Sequence, residues 1–175
     1  MILGLVAAKE NSNRFKNKNN YLYKNKPLFW HSVKPLLDSD KIDDVYVITD
    51  SDEIKKYCEK RNVQVIWRPK NSTRDEDKLI NVLRFGYYSL DKSYDTIVAI
   101  MANCPGHTKT AINKGIDLLK KNNLREVRSF NVMGEESGLL IFSKKIMTNN
   151  FDISYYIGNV QSNVKEIHFK EDLND

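Results

Sequence analysis

Six basic residues and one acid lie among the first thirty residues, giving this segment a net charge of +5. The chain has 28 Lys+Arg and 23 Asp+Glu, so the other 145 residues carry 22 of each sign. The segment's charged residues are Lys9, Arg14, Lys16, Lys18, Lys24 and Lys26 against Glu10. Clustered cations attract polyanions, which makes 9–26 a candidate triphosphate site. A solvated loop and a weak nucleic-acid patch are the alternatives, and charge alone favours the solvated loop.

Other chemically active side chains give weaker signals. Asp50-Ser51-Asp52 spells the Asp-x-Asp signature of nucleotide-sugar glycosyltransferases, but it follows an apolar run and is better placed to cap a helix. Cys104 has no basic partner that the sequence fixes near it, so we do not assign it as a nucleophile. His107 is equally consistent with a solvent-facing position, and His31, on a predicted helix, is expected to be structural.

Two continuous apolar runs must position the basic stretch. Residues 2–8 and 96–101 are typical of strands buried on both faces of a parallel sheet. The first run leads into loop 9–26 and the second into loop 102–107. Because ligands bind beyond the carboxyl ends of parallel strands, we expect the two loops to meet at one site.

The remaining apolar patterns alternate between helix and strand. They predict a helix over 27–38 containing Pro35, a strand over 45–49, a helix capped by Asp50 or Ser51, a strand over 63–67, a helix from 72–76 to Leu90, and a helix capped by Thr108. After Asn123 they predict strands over 126–133, 139–142, 153–157 and 163–169, with a helical turn over 144–148. The sequence therefore predicts an α/β fold whose mostly parallel sheet carries antiparallel C-terminal strands.

Length and composition fit a single domain over residues 1–175. With 41% hydrophobic residues, 7 Gly and 4 Pro, the chain can support one core and is unlike a disordered or low-complexity protein. Two cysteines argue against a disulfide framework. The first apolar run is too short for a signal peptide or a membrane span, so we expect a cytoplasmic protein without a membrane partner.

One segment carries the most specific motif. The chain reads Ala8-Lys9-Glu10-Asn11-Ser12-Asn13-Arg14-Phe15-Lys16-Asn17-Lys18-Asn19, then Asn25-Lys26-Pro27-Leu28. In register, it resembles the Ala-Arg-x-Gly-Ser-Lys-x-x-x-x-Lys-Asn loop and Gly-Lys-Pro-Leu of one enzyme family. That family comprises the acylneuraminate and 3-deoxy-octulosonate cytidylyltransferases, which make CMP-sugars from CTP.

Weaker matches extend the resemblance over nearly the whole chain. Residues 47–54 resemble the family's Ser-Thr-Asp-x-x-Glu-Ile, and Arg68-Pro69 with Asp75 resembles its Arg-Pro-x-x-Leu-Ala-x-Asp. Residues 102–105 stand where the family has Gln-Pro-Thr-Ser-Pro. Residues 166–173 occupy the place of Asp-Ile-Asp-Thr-x-x-Asp-Leu. The resemblance implies a Rossmann-like, GT-A-like nucleotidyltransferase fold, a three-layer sandwich.

The resemblance also implies site roles. Catalytic contacts to the phosphates fall on Lys9, Arg14 and Lys18, and nucleotide contacts on Ala8, Asn11, Ser12, Asn19, Arg68, Asp75, Asn103 and Cys104. The metal positions fall on Glu166 and His168, whose spacing puts them on one face of a predicted strand. The resemblance implies Mg²⁺, and Mn²⁺ suits a mixed carboxylate and imidazole pair better. CTP and a small acidic acceptor are the implied ligands, and a homodimer is left open.

Departures from the family pattern leave a second hypothesis open. Lys9, Asn11 and Asn13 replace the loop's Arg, Gly and Lys, while Met101 replaces a Gln and His168 an acid. The segment that carries sugar contacts and a dimerisation arm in the family is reduced to about 134–138. The leading hypothesis is CMP transfer to an acidic acceptor, and the alternative is a homologue that binds nucleotide or a partner without catalysis. Weak nucleic-acid binding is disfavoured because few aromatic residues interleave the lysines.

Overall fold

The computed structural model describes residues 1–10, 15–69, 78–148 and 156–174, and strands and helices alternate along the first two thirds. The elements in that part are β1 (Ile2–Ala7), β2 (Leu22–Tyr23), β3 (Lys26–Pro27), α1 (Trp30–Leu37), β4 (Asp44–Thr49), α2 (Asp52–Glu59), β5 (Gln64–Trp67), α3 (Leu79–Tyr88), β6 (Thr96–Ile100) and α4 (Lys109–Lys121). The elements that follow are β7 (Glu126–Phe130), β8 (Glu136–Ser143), α5 (Lys144–Thr148) and β9 (Ile157–Gln161).

Seven strands form one sheet in the order β5-β4-β1-β6-β8-β7-β9. Strand β1 lies between β4 and β6 and is parallel to both, so Gly4 pairs with Val45 on one side and with Val98 on the other. Strand β8 is antiparallel to β6 and to β7, whereas β9 is parallel to β7. Six strands therefore end at the same edge of the sheet. The predicted mostly parallel sheet with an antiparallel C-terminal contribution is confirmed.

Helices cover both faces of this sheet. Side chains alternate along β1, so Val6 packs into the core with α1, α2 and α4, while Leu5 packs on the opposite face with α3 and α5. The same alternation places Val98 and Ile97 of β6 on opposite faces. Strands buried on both faces need apolar side chains at every position, which explains the continuous runs in the sequence. The three-layer arrangement agrees with the prediction.

Two predicted helix starts are confirmed by their caps. The Ser51 hydroxyl accepts a hydrogen bond from the amide of Ile54, and the Thr108 hydroxyl accepts one from Ala111. The first helix begins at Trp30 rather than at 27, because Lys26–Pro27 pairs with Leu22–Tyr23 in a short antiparallel ribbon. The predicted start of the third helix at 72–76 lies outside the described residues.

The C-terminal third differs most from its prediction. The strand predicted near 163–169 is absent, because this segment crosses the strand ends and bonds to loops instead of lying beside a strand. The amide of Ser162, just before this segment, still bonds to the carbonyl of Phe130 at the end of β7, at 2.8 Å. Farther along, the amide of Ile167 bonds to the carbonyl of Asn103, in the loop after β6, at 2.8 Å. Strand β7 ends at Phe130 rather than at 133, since a turn begins at Asn131. Within 1–10, 15–69, 78–148 and 156–174, no helix is long and apolar enough to cross a membrane.

Candidate nucleotide-binding site

The chain leaves β1 along the carboxyl edge of β4. The amide of Ala8 donates to the carbonyl of Ile48 at 2.9 Å, and the Thr49 hydroxyl donates to the carbonyl of Ala8 at 2.6 Å. The buried carboxylate of Asp50 accepts from the amide of Glu10 at 2.7 Å. Asp50 therefore shapes the start of the basic loop, in line with a structural role for the Asp50-Ser51-Asp52 sequence.

Asn19 connects the two ends of the basic loop. Its side chain is buried, and its amide nitrogen donates to the carbonyl of Lys9 at 2.8 Å. Its own carbonyl accepts from the amide of Phe29 at 3.1 Å, next to the start of α1. Asn19 thus fixes the position of Lys9, which is half-buried where β1 ends. This gives a physical reason for an Asn beside a Lys at this point in the loop.

Lys18 joins the basic loop to the C-terminal segment. It lies in a short 3-10 helix, Lys18–Asn20, preceded by Asn17 in the left-handed conformation with φ +55°. Its ammonium donates to the carbonyl of Ile167 at 2.9 Å, across 149 positions of sequence. The cation is thereby held beside the segment that carries Glu166 and His168.

The loop after β6 is bonded to the same segment. The Asn103 amide nitrogen donates to Glu166 Oε1 at 2.8 Å and to the carbonyl of Ile167 at 3.0 Å. The Asn103 carbonyl in turn accepts from the amide of Ile167. Loops 9–26 and 102–107 therefore meet at one place, as the two apolar strands predict, and residues 166–168 lie between them.

Glu166 and His168 come together although the predicted strand is absent. His168 Nε2 lies 3.4 Å from Glu166 Oε2, and both side chains are partly exposed. Glu166 alone could hold Mg²⁺ together with phosphate oxygens and water, whereas the carboxylate and imidazole pair would suit Mn²⁺ better. No group of three or more metal-ligating side chains occurs in the described parts of the chain. The pair thus fits an ion that arrives with a phosphate rather than a closed protein site.

Cys104 is fully buried beneath the loop after β6. Burial, reinforced by the charge of Glu166 and opposed by Lys18, raises the pKa of the Cys104 thiol to about 12. The thiol is therefore neutral at pH 7 and unsuited to nucleophilic attack. It contributes packing below the site, so a direct contact with nucleotide would require the loop to move.

His107 is a residue that the sequence analysis did not assign to the site. Its side chain is buried, with Nδ1 2.9 Å from Ser162 Oγ and Nε2 2.7 Å from the carbonyl of Ser137. Desolvation lowers its pKa to about 4, so the ring is neutral at pH 7. His107 links the loop after β6, strand β8 and the start of segment 162–169. No local sequence pattern indicates such a role, because both partners of the ring are distant in sequence.

The other predicted residues lie farther away or outside the described chain. The amide of Arg68 donates to the carbonyl of Thr49 at 2.9 Å, which places this half-buried residue at the end of β5. Two strand spacings separate β5 from β1, or about 10 Å. Asn11, Ser12, Arg14 and Asp75 lie outside the described residues, so their roles remain predictions.

Comparisons with known proteins agree with this architecture. A sequence model of the family described as "Cytidylyltransferase" matches residues 3–162. The CMP-N,N'-diacetyllegionaminic acid synthase of Legionella pneumophila is 25% identical over 123 residues, 68% of this chain and 53% of that protein. An N-acylneuraminate cytidylyltransferase of Streptococcus agalactiae is 21% identical over 137 residues, 77% of this chain and 33% of that protein.

A solved structure extends the comparison to the fold. The CMP:2-keto-3-deoxy-manno-octonic acid synthetase complexed with CTP superposes with a TM-score of 0.81 at 10% identity, covering 99% of this chain and 95% of that one. The chain spans about half or less of the length of the two sequence relatives. Because the family model matches residues 3–162 of the 175 residues, well over half of the sequence, this chain belongs to the cytidylyltransferase family.

Proposed function

We propose that this chain transfers CMP from CTP to a small acidic acceptor and releases pyrophosphate. The observation that carries the proposal is the contact of Lys18 with Ile167, which sets a cation beside Glu166 where β1 and β6 end. Membership of the cytidylyltransferase family supports the choice of nucleotide. The names of the relatives, which refer to acidic sugars, support the choice of acceptor class.

The reaction asks the protein mainly to position groups and neutralise charge. An acceptor oxygen attacks the α-phosphorus of CTP, the bond to the bridging oxygen of the β-phosphate breaks, and the acceptor proton passes to solvent. Lys9 and Lys18 would hold the phosphates and stabilise the charge that develops on the leaving pyrophosphate. Arg68, at the far side of β4, would contact the base or the ribose.

A divalent ion fits the Glu166 and His168 pair. Glu166 would supply the carboxylate oxygen that Mg²⁺ prefers, while His168 would favour Mn²⁺. When bound, the ion would neutralise phosphate charge. Asn103 positions Glu166 through the 2.8 Å hydrogen bond to Oε1 and leaves Oε2 directed towards His168.

A pyrophosphate-release assay tests the proposal. CTP, ATP, GTP and UTP are each supplied with a panel of acidic sugars, and nucleotide binding is measured in parallel by calorimetry. We expect release with CTP that requires both an acceptor and a divalent ion. Absence of release with every acceptor, together with absence of CTP binding, contradicts the proposal.

A matched pair of variants tests the metal position. Glu166→Gln removes the carboxylate beside His168, whereas Glu171→Gln removes an exposed carboxylate from the next turn. We expect the first variant to need at least about tenfold more metal for half-maximal rate, because one charged ligand is lost. The second should match the unaltered protein. Equal metal requirements in the two variants would assign Glu166 a purely structural role.

A nucleotide-binding homologue without turnover is the second candidate. It is favoured by the pairing of Glu166 with His168, because the second acid of the family motif is replaced there by an imidazole, a poorer ligand for Mg²⁺. The same experiments separate the two candidates. CTP binding without pyrophosphate release, across all acceptors and both metals, identifies the binding homologue.

A further inference from the structure

The segment that carries Glu166 is attached to the loop after β6 at two separate places. At its far end, the Asn103 side chain donates to Glu166 Oε1 at 2.8 Å, and the Asn103 carbonyl accepts from the amide of Ile167. At its near end, where the chain leaves β9, the buried ring of His107 lies against Ser162, with Nδ1 2.9 Å from Oγ. The second attachment is independent of the groups that form the first.

The chemistry of the His107 ring fixes the direction of its hydrogen bonds. Nε2 lies 2.7 Å from the main-chain carbonyl of Ser137 in β8, which can only accept, so Nε2 carries a proton. Burial lowers the pKa of His107 to about 4, and the neutral ring holds one ring proton at pH 7. Nδ1 is therefore an acceptor, and the Ser162 hydroxyl donates to it. The ring thus bridges Ser162 and β8 in one defined orientation.

Apolar packing holds the same segment against the loop. Val164 and Ile167 are 5% and 3% exposed, whereas Asn163 and Lys165 are exposed to solvent. A Cβ on Gly106, the residue before His107, would lie 3.5 Å from Val164 Cγ2, so the loop and the segment are in contact there. Apolar burial is non-directional, and hydrogen bonds must fix where the segment lies along the edge of the sheet.

The bond between His107 and Ser162 is well suited to fix that position. Both side chains are buried, so loss of either partner leaves a polar atom unsatisfied away from water, unless the segment shifts. A second buried bond lies in the same layer, where Ser137 Oγ donates to Ser129 Oγ at 2.8 Å. It joins β8 to β7 rather than to the segment, and it therefore provides a matched comparison.

We infer that His107 is a positioning residue that acts through Ser162: it fixes the start of segment 162–168 and thereby the place of Glu166 between the basic loop and the loop after β6. The metal role of Glu166 in this inference rests on the proposed function, whereas the attachment of the segment does not. Without the bond to His107, Asn103 holds Glu166 from one side only. The Glu166 carboxylate should then be less well placed to bind a divalent ion.

Two substitutions of His107 separate the two halves of the bridge. A Gln amide reaches as far from the main chain as Nε2, so His107→Gln keeps a donor for the Ser137 carbonyl and loses the partner of Ser162. An Asn amide reaches only as far as Nδ1, so His107→Asn has the opposite effect. Each variant loses one hydrogen bond, and hydrogen exchange of the Ile167 amide is measured by NMR.

We expect the Ile167 amide to exchange about tenfold faster in His107→Gln than in His107→Asn, because only the first variant releases the start of the segment. Amides of β1, at the centre of the sheet, report global stability and should exchange alike in the two variants. Equal rates at Ile167 in the two variants would overturn the inference.

Substitutions of Ser162 test the same bond from its other side. Ser162→Ala removes the hydroxyl, Ser162→Thr keeps one, and Ser137→Ala removes the comparison bond between β7 and β8. We expect Ile167 exchange to rise about tenfold in Ser162→Ala and to stay within about twofold of the unaltered protein in the other two. Adding His107→Gln to Ser162→Ala should cause little further change, because both remove one shared bond. Fully additive effects, or equal exchange in Ser162→Ala and Ser137→Ala, contradict the inference.

The metal requirement tests the consequence for Glu166. CTP binding is measured by calorimetry over a series of Mn²⁺ concentrations. We expect Ser162→Ala to need about three- to tenfold more Mn²⁺ than Ser137→Ala for half-maximal binding. Faster exchange at Ile167 with an unchanged Mn²⁺ requirement would overturn the positioning role. Absence of CTP binding by the unaltered protein would instead contradict the proposed function, and the exchange rates alone would then decide whether His107 holds the segment.

Discussion

The two ends of one sheet edge have opposite chemistry. Where β1 and β6 end, Lys9 lies at the start of the basic loop, and the ammonium of Lys18 donates a hydrogen bond to Ile167 of the C-terminal segment. Where β7 and β9 end, amides and an aromatic ring line a cavity flanked by acids. One edge of the sheet therefore carries two regions of different charge.

The two ends are also held in different ways. The basic loop is fixed by side chains that bond to main-chain groups, chiefly Asn19 and Asp50. The β7 and β8 side is fixed by buried polar side chains that bond to one another as well as to the main chain. There, Ser137 donates to Ser129 Oγ at 2.8 Å, and His107 contacts Ser162 and the Ser137 carbonyl. Three predictions test these differences.

The largest effect is expected at Lys18. Replacing Lys18 by Met removes the cation that would stabilise the leaving pyrophosphate, and we expect kcat/KM to fall about 100- to 1000-fold. Lys16→Met is the matched control, because Lys16 is an exposed lysine of the same loop, and it should change the rate by no more than about twofold. Pyrophosphate release measures both. Equal losses in the two variants would mean that the loop acts through its overall charge.

The second effect concerns the buried polar side. Because the pKa of His107 is lowered from 6.5 to about 4 by burial, the folded protein resists protonation there more than the unfolded chain does. The contribution of the neutral His107 ring to the free energy of unfolding should be fully present above pH 6.5. It should decrease by about 3 kcal/mol as the pH drops towards 4. Urea unfolding across this pH range measures the loss.

His107→Gln provides the control for this pH dependence. The variant keeps a polar side chain at the position but removes the titrating ring, so its free energy of unfolding should depend much less on pH between 6.5 and 4. Carboxylates with lowered pKa, such as Asp44 and Asp172, contribute to both proteins alike and mainly at lower pH. Parallel pH curves for the two proteins would show that another group is responsible.

The smallest of the three effects tests where the two sides join. Gly138 of β8 has φ +83°, and a Cβ there would lie 2.4 Å from Cys104 Sγ. Gly134 has φ +80° but no atom within 4 Å of such a Cβ. Gly134→Ala and Gly138→Ala should therefore carry the same backbone strain, and only Gly138→Ala should add a steric clash. We expect Gly138→Ala to be less stable than Gly134→Ala by about 2 kcal/mol. Thermal or urea unfolding compares them, and equal stability would show that the loop after β6 adapts freely.

The sequence predicted the central strands well and the C-terminal third poorly, for physical reasons. Because β1 and β6 are buried on both faces, each appears in the sequence as a continuous apolar run. The loops that follow them could be assigned to one edge of the sheet, because parallel strands end at the same edge. The segment 163–169 has apolar residues that suggest a strand, yet its hydrogen-bond partners are loops distant in sequence. His107 and the cavity at Asn159 depend on tertiary neighbours, so no local pattern could have indicated them.

The metal role of Glu166 and His168 stays a prediction. The resemblance placed them together, and their side chains do approach each other, but through an irregular segment rather than a strand. For Lys18 and Asn19, the role that the motif implies and the contacts that the structure shows are different. The motif suggested ligand contacts for both, whereas the buried Asn19 amide first of all fixes the main chain of Lys9.

The hydrogen bond from Lys18 to Ile167 also bears on how the protein folds. It joins residues 149 positions apart, so it forms only after most of the chain has been ordered. During synthesis, β1 and its loop emerge early but must wait for β6 and then for Ile167 before Lys18 can be held. An incomplete chain would therefore present an exposed cationic loop without the segment against which the structure sets it. Nucleotide affinity should thus arise at the last stage of folding, and recovery of CTP binding would report completion of the native state.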